Sequence, residues 1–167
     1  MKGGILNARG IFGLAAALAV LLVATGCGSS DSSAVTVETG SLSKAEFIAK
    51  ADAICKAARS EFLAKYQQFI AAHQSEFEHR QNEAAVLGEV LESVLGPNIE
   101  GQIEQIGKLG APSSYAPQVE AFLEALQTRI DEAHGDPTGL TATATPFEKA
   151  EDAAKRAGMK GCSESFS

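Results

Sequence analysis

Apolar residues recur every three or four positions from residue 43 onwards, and this period predicts a series of amphipathic helices. We expect the first helix to follow Ser43, because Ser43 and Glu46 have the spacing of a capping box, in which each side chain binds a free backbone N–H of the first turn. One face of this helix is apolar, and the charged residues fall largely elsewhere. The apolar face comprises Phe47, Ala51, Ile54, Cys55, Ala58, Phe62, Tyr66 and Phe69.

The end of the first helix is left open, since no Gly or Pro lies between Ser43 and Gly88. A single straight helix over this stretch would be about 65 Å long, too long for a compact domain of this size. The most polar stretch, residues 73–82, is therefore the expected position of a turn. A second apolar stripe runs over residues 87–106, and Pro97 within it predicts a kink or a restart of that helix.

Gly and Pro also delimit a third helix. Pro112 ends the second helix, Pro117 suits the first turn of the third, and the Gly-Asp-Pro sequence that begins at Gly135 ends it. Val119, Phe122, Leu123, Leu126, Ile130 and Ala133 form its apolar stripe.

A short fourth helix is predicted with Thr145 as its N-cap and Pro146 at its first position, ending at Gly158. Cys162 lies just beyond it. Four amphipathic segments without a credible pair of strands predict an all-α fold, a small bundle of about four helices over residues 43–167.

The first 26 residues have a different pattern. Lys2 and Arg9 give a positive start, and residues 11–24 are apolar apart from Gly13, which is the layout of a secretory signal peptide. The apolar run of 14 residues is shorter than the roughly 20 that span a hydrocarbon core. This length favours a cleaved signal peptide over residues 1–26, with an uncleaved anchor as the alternative.

The residues that precede Cys27 read Ala-Thr-Gly and resemble a bacterial lipobox, which is cut just before the cysteine. By this resemblance Cys27 would carry a thioether-linked diacylglycerol, with acyl chains such as palmitate. Two acyl chains give stable anchoring, whereas one gives marginal binding. The resemblance therefore implies a protein anchored to the membrane by lipid, on the extracytoplasmic face of the bacterial cell membrane.

A Ser/Thr/Gly-rich stretch, residues 28–41, separates Cys27 from the first helix. A brief alternation at Val35, Thr36 and Val37 would form a strand only beside a partner strand, and no partner is visible in the sequence. We expect residues 27–42 to comprise the lipid-bearing cysteine and a flexible tether with a span of roughly 20 Å.

The charge balance is acidic. The full chain has 14 basic and 21 acidic side chains, and loss of Lys2 and Arg9 with the signal peptide leaves a formal charge of about −9. Such a surface is a poor partner for nucleic acid and for a bare anionic membrane. We therefore expect membrane contact through the lipid anchor, an envelope protein as the candidate partner, and no nucleic acid.

Three cysteines become two once Cys27 is assigned to lipid. Outside the cytoplasm, Cys55 and Cys162 are natural candidates for a disulfide. A bridge between them would close a loop of 107 residues, which the chain-entropy relation values at roughly 4.7 kcal/mol. The alternatives are weaker, because a metal site needs more ligands at close spacing and a catalytic cysteine needs a positioned histidine.

Together these features resemble a group of small secreted or lipid-anchored actinobacterial proteins. The resemblance rests on the lipobox, the tether, FIAKADAIC at residues 47–55, LGAP at residues 109–112 and the ending at residues 147–162. It covers most of the mature chain and implies the same fold and the pairing of Cys55 with Cys162. The group is uncharacterised, so the resemblance implies no activity.

His73, Glu76 and His79 are weak candidates for a metal site. Glu76 and His79 have the Glu-x-x-His spacing of carboxylate-bridged di-iron bundles, but such sites need a second copy and two further glutamates, which the sequence lacks. Their polar surroundings favour a solvated helix face. Weak Zn²⁺ or Cu²⁺ binding at the two histidines is a hypothesis, and we expect no resident metal or cofactor.

No phosphate-binding loop, zinc-protease motif, nucleophile elbow or close cysteine pair occurs in the sequence. We therefore expect a non-enzymatic interaction or accessory module of the cell envelope. The alternative is a small-molecule or metal-binding helical module, because an alanine-rich bundle leaves room for an apolar cavity. An enzyme without a recognisable motif comes third.

Overall fold

The structure is a computed structural model that describes residues 35–75 and 83–166. These residues contain no β-strand, and the predicted all-α fold is confirmed. The helices are α1 Lys44–Ala72, α2 Glu83–Val90, α3 Gly96–Gly107, α4 Ala116–Gly135, α5 Glu148–Ala157 and α6 Lys160–Ser165. A π-helical turn, Leu91–Leu95, joins α2 to α3, and a 3₁₀ turn, Pro137–Leu140, follows α4.

Helix α1 begins with the predicted capping box. The backbone N–H of Glu46 donates to Ser43 Oγ at 3.3 Å, and the backbone N–H of Ser43 donates to Glu46 Oε2 at 2.9 Å. The Ser43 hydroxyl also donates to this carboxylate, and these bonds hold the pKa of Glu46 below its ordinary value. The helix ends at Ala72, where the predicted turn region begins.

Only the first half of α1 is buried. Its buried residues are Phe47, Ala51, Cys55 and Ala58, and no described residue from 59 to 75 is buried. The second half of α1 therefore leaves its apolar stripe partly exposed.

Helix α4 forms the centre of the core, packed against α3 and α5. Helix α5 faces α4 with small side chains, which allows the close packing typical of protein interiors. Fully buried residues of α4 are Val119, Phe122, Leu123, Leu126, Ile130 and Ala133, and the buried residues of α5 are Ala150, Ala153, Ala154 and Ala157.

Pro97, predicted to kink or restart the helix, follows a change of helix type. The backbone stays helical from α2 through the π-helical turn into α3, and Pro97 is the second residue of α3. Gly96 is required at this junction, because a Cβ there would lie 2.8 Å from the carbonyl oxygen of Leu91.

The predicted start of the fourth helix is wrong by two residues. Thr145 is not its N-cap, since α5 begins at Glu148, whose N–H donates to the Thr145 carbonyl at 3.2 Å in a turn. This turn buries Phe147 beside the ring of Phe166, at 5.4 Å between centroids. Cys162, expected beyond the last helix, lies within the additional helix α6.

The predicted tether is also too long. The backbone of Glu38 makes two hydrogen bonds of 2.8 Å, one to the carbonyl of Gly107 at the end of α3 and one from the N–H of Ala111 in the loop that follows. Val37 is buried, and a Cβ on Gly40 would lie 2.8 Å from the Cα of Gly110. Residues 35–42 therefore belong to the packed domain, with a loop rather than a strand as their partner.

Candidate binding groove

The predicted bridge between Cys55 and Cys162 is present and joins α1 to α6. Both residues are fully buried, and the S–S distance is 2.04 Å. The backbone N–H of Cys162 donates to Asp52 Oδ1 at 3.0 Å, which adds a second link between the same helices. Cys27, the expected lipidation site, lies outside the described residues.

His73 caps the end of α1. Its Nδ1 donates to the Phe69 carbonyl at 3.0 Å, its ring stacks on Phe69, and its Nε2 lies 3.5 Å from Glu89 Oε2. Glu76 and His79 lie outside the described residues. Within residues 35–75 and 83–166, no group of three or more His, Cys, Asp or Glu side chains is arranged to hold a metal ion.

A largely apolar depression of about 360 Å³, here called the α1–α3 groove, lies beside the exposed half of α1. Helices α1, α2 and α3 contribute to its walls, together with residues before α5 and at the end of the chain. It is lined by Cys55, Arg59, Phe62, Leu63, Tyr66, Leu87, Val90, Leu95, Asn98, Ile99, Gln102, Leu140, Pro146, Phe147, Ser165 and Phe166.

The wall that α3 contributes contains a buried amide with a free oxygen. Gln102 is only 2% exposed, and its Nε2 donates to Asn98 Oδ1 at 3.0 Å. Asn98 in turn donates from Nδ2 to the carbonyl of Ala58 at 2.9 Å, which ties this network to α1. Gln102 Oε1 has no hydrogen-bond partner in the part of the chain that the structure describes.

The α1 wall combines apolar surface with one charge. The rings of Phe62 and Tyr66 stack at 5.6 Å, and Leu63 is 47% exposed, the only large apolar side chain so exposed among the described residues. Arg59 is the one charged side chain among the described residues that line the groove, and its guanidinium donates to the backbone carbonyl of Glu164.

Two smaller depressions differ from the α1–α3 groove in their lining. They measure about 280 and 330 Å³, and each is lined by charged side chains of both signs. One lies between α4 and the start of α5, and the other lies beside residues 35–38. Neither joins an apolar surface to a single charge as the α1–α3 groove does.

Sequence reasoning did not select Gln102 or Arg59 as site residues. A signal for Gln102 was present, because it follows Ile99 by three positions and precedes Ile106 by four, on the apolar face of its helix. Burial of this helix face therefore also buries the side-chain amide of Gln102. No sequence pattern indicated Arg59, because its position at the groove depends on contact between α1 and residues 164–166, which are far away in sequence.

Comparisons with known proteins found no matching family, no matching curated protein and no matching solved structure. Among the described helices, none has the length and apolar character needed to cross a membrane. The geometry of the α1–α3 groove is therefore the ground on which a function is proposed.

Proposed function

We propose that this protein is a lipid-anchored, non-enzymatic module on the extracytoplasmic face of the bacterial cell membrane, and that it acts by binding a small apolar molecule in the α1–α3 groove. The observation that carries the proposal is the groove itself, whose largely apolar lining includes Gln102, a residue with a side-chain oxygen that is buried and unpartnered within the described part of the chain. Small-molecule sites combine these features, apolar walls with a few placed polar groups, in volumes from about 300 Å³ upwards.

The groups that line the groove support binding rather than catalysis. The described lining residues include Arg59, Asn98 and Gln102 but no His, Asp or Glu, and Cys55 is held in the disulfide. General acid–base chemistry draws mostly on imidazole and carboxyl groups, and a nucleophilic cysteine must be a free thiolate.

The location is supported by the sequence and the disulfide together. Residues 1–27 have the pattern of a lipoprotein signal with its cysteine, and a buried disulfide is typical of proteins outside the reducing cytoplasm. Both observations favour the outer face of the membrane.

A protein partner is the second candidate, favoured by the exposed half of α1. Leu63 presents apolar surface to solvent there, and a partner helix would cover it together with Tyr66. Binding of a partner at this edge would use the same wall of the α1–α3 groove.

The proposal is tested by titrating the protein with N-phenyl-1-naphthylamine, a neutral dye whose fluorescence rises in apolar sites. We expect saturable binding to the wild type and about fivefold weaker binding to Leu63→Gln, because about 1 kcal/mol of apolar contact is lost. Leu63 is exposed, so this change leaves the fold intact.

Ile70→Gln is the matched control, because Ile70 lies two turns further along α1 and does not line the groove. Its affinity for the dye should equal that of the wild type. Absence of dye binding, or equal weakening by both substitutions, would refute the proposed binding function.

A further inference from the structure

We propose that the α1–α3 groove is selective for a single-chain amphiphile that carries a carboxylate and, close to it, an amide N–H or hydroxyl donor. This inference rests on the proposed binding function and specifies the class of molecule bound. It is carried by two observations at the groove, the single cation Arg59 and the buried free oxygen of Gln102.

The charge of the groove is opposite to that of the whole protein. The full chain carries a net charge of −7, yet Arg59 is the one charged side chain among the described lining residues. Charges more than about 8 Å away are largely screened at physiological salt. Glu164, whose backbone Arg59 contacts, has its carboxylate 3.7 Å from Lys160 Nζ, so a second cation offsets that negative charge. The groove therefore favours an anionic head group locally.

Arg59 retains the capacity to bind a carboxylate. Its bond to the Glu164 carbonyl uses one of the five N–H donors of the guanidinium, and a carboxylate accepts two parallel bonds from such a group. Because Arg59 is exposed, an anion can reach it without burial of an unpaired charge.

Among the described residues, the side-chain oxygen of Gln102 lacks a hydrogen-bond donor, which a bound molecule would supply. The amide nitrogen of Gln102 is engaged by Asn98, which is held by Ala58, so the orientation of the amide is fixed and its oxygen is left over. A buried acceptor without a partner is costly, and a ligand N–H or O–H would remove that cost. A plain fatty acid offers an anion but no such donor.

Arg59 and Gln102 line the same groove from facing helices. The amide network meets α1 at Ala58, and Arg59 is the next residue in the chain. This placement favours a molecule whose donor and anion belong to one head group, with the alkyl chain against Phe62, Leu63 and Leu87.

Three matched probes separate the requirements in calorimetric titrations below their micelle concentrations. N-dodecanoylglycine has the chain, the N–H and the carboxylate; its methyl ester lacks the charge; N-dodecanoylsarcosine lacks the N–H. We expect the wild type to bind N-dodecanoylglycine about tenfold more tightly than either of the others, since each comparison removes one hydrogen-bonded interaction.

Substitutions of Arg59 and Gln102 test whether these residues cause the preferences for the carboxylate and for the N–H. Arg59→Gln should abolish the preference for the acid over the ester, whereas Arg59→Lys, which keeps the charge, should retain most of it. Gln102→Met should abolish the preference for the N–H over the N-methyl compound. Lys65→Gln, which removes a cation from the same helix outside the groove, should change neither preference.

The outcomes distinguish the inference from the function on which it rests. Equal binding of the three probes, or preferences that survive Arg59→Gln and Gln102→Met in folded protein, would overturn the inference and leave the groove as an apolar site. Binding of the neutral naphthylamine without binding of any acyl probe would also overturn the inference alone. Failure of all four compounds to bind would overturn both proposals.

Discussion

Tyr115 connects three parts of the domain through one buried side chain. Its ring meets Phe47 edge to face at 5.6 Å, and Lys44 Nζ lies 4.6 Å above the ring. Its hydroxyl donates to the carbonyl of Ala157 at 2.7 Å, at the end of α5. Burial, with a smaller contribution from the negative charge of Asp52, raises the pKa of Tyr115 to about 12.

We expect Tyr115→Phe to lower the free energy of unfolding by about 1 kcal/mol at pH 7, because the ring contacts remain while the Ala157 carbonyl loses its partner. The pKa adds a pH dependence. The folded state holds the phenolic proton more tightly than the unfolded chain does, so its contribution is complete below pH 10 and is lost as the pH rises towards 12.

Urea unfolding at pH 7, 9, 10 and 11 measures both effects, with Tyr66→Phe as the control at a half-exposed tyrosine. Tyr115→Phe should show a shallower decline above pH 10 than the wild type, and Tyr66→Phe should follow the wild type. A decline of equal slope in all three proteins would contradict this role for Tyr115.

At the scale of elements, α6 is held against α1 by three adjacent features. The disulfide joins Cys55 to Cys162, Asp52 accepts from the Cys162 backbone, and a Cβ on Gly161 would lie 2.8 Å from the Cβ of Asp52. The close approach of α6 therefore requires glycine at position 161.

We expect the double variant Cys55→Ala/Cys162→Ala to lose about 2–5 kcal/mol of stability, since the bridge closes a loop of 107 residues in the unfolded chain. Denaturant unfolding of the two proteins measures the loss. The wild type in reductant should approach the variant, and the variant should not respond to reductant. Peptide mapping that finds both thiols free in the protein isolated from its host would contradict the bridge.

Elements set by local chemistry were predictable from sequence. The capping box at Ser43 and the change of helix type before Pro97 depend on residues a few positions apart, so the local sequence is sufficient to find them. The docking of residues 35–42 was missed because it depends on backbone bonds to a distant loop, which no side-chain pattern reports. Thr145 was misassigned because burial of Phe147 outweighed a good local cap.

At the scale of the molecule, the α1–α3 groove unites segments that are far apart in sequence. Arg59 reaches it from α1, Gln102 from α3, and Phe166 from the end of the chain. The paired cysteines were predictable from their number, but the groove was not, because its shape arises where the unburied half of α1 passes the other segments. Among the residues that line the groove, a search for polar positions on buried helix faces would have found Gln102.

If Cys27 is lipidated as proposed, Cys27→Ala should abolish acylation and either release the protein from the membrane or stall its precursor, because the thiol proposed to accept the diacylglycerol is gone. Membrane fractionation and intact mass measure the result, and Ser29→Ala serves as a control beyond the cleavage point. Unchanged membrane retention with no difference in the attached mass would argue for a plain anchor.

If Cys27 carries the proposed lipid, the docking of residues 35–42 shortens the linker between the lipid and the domain. Val35 follows Cys27 by eight residues, which span at most about 28 Å when fully extended. With lipid on Cys27, the domain could drift from the leaflet surface by no more than about its own diameter. An amphiphile could then pass between leaflet and protein over a short path, with little time spent in open water.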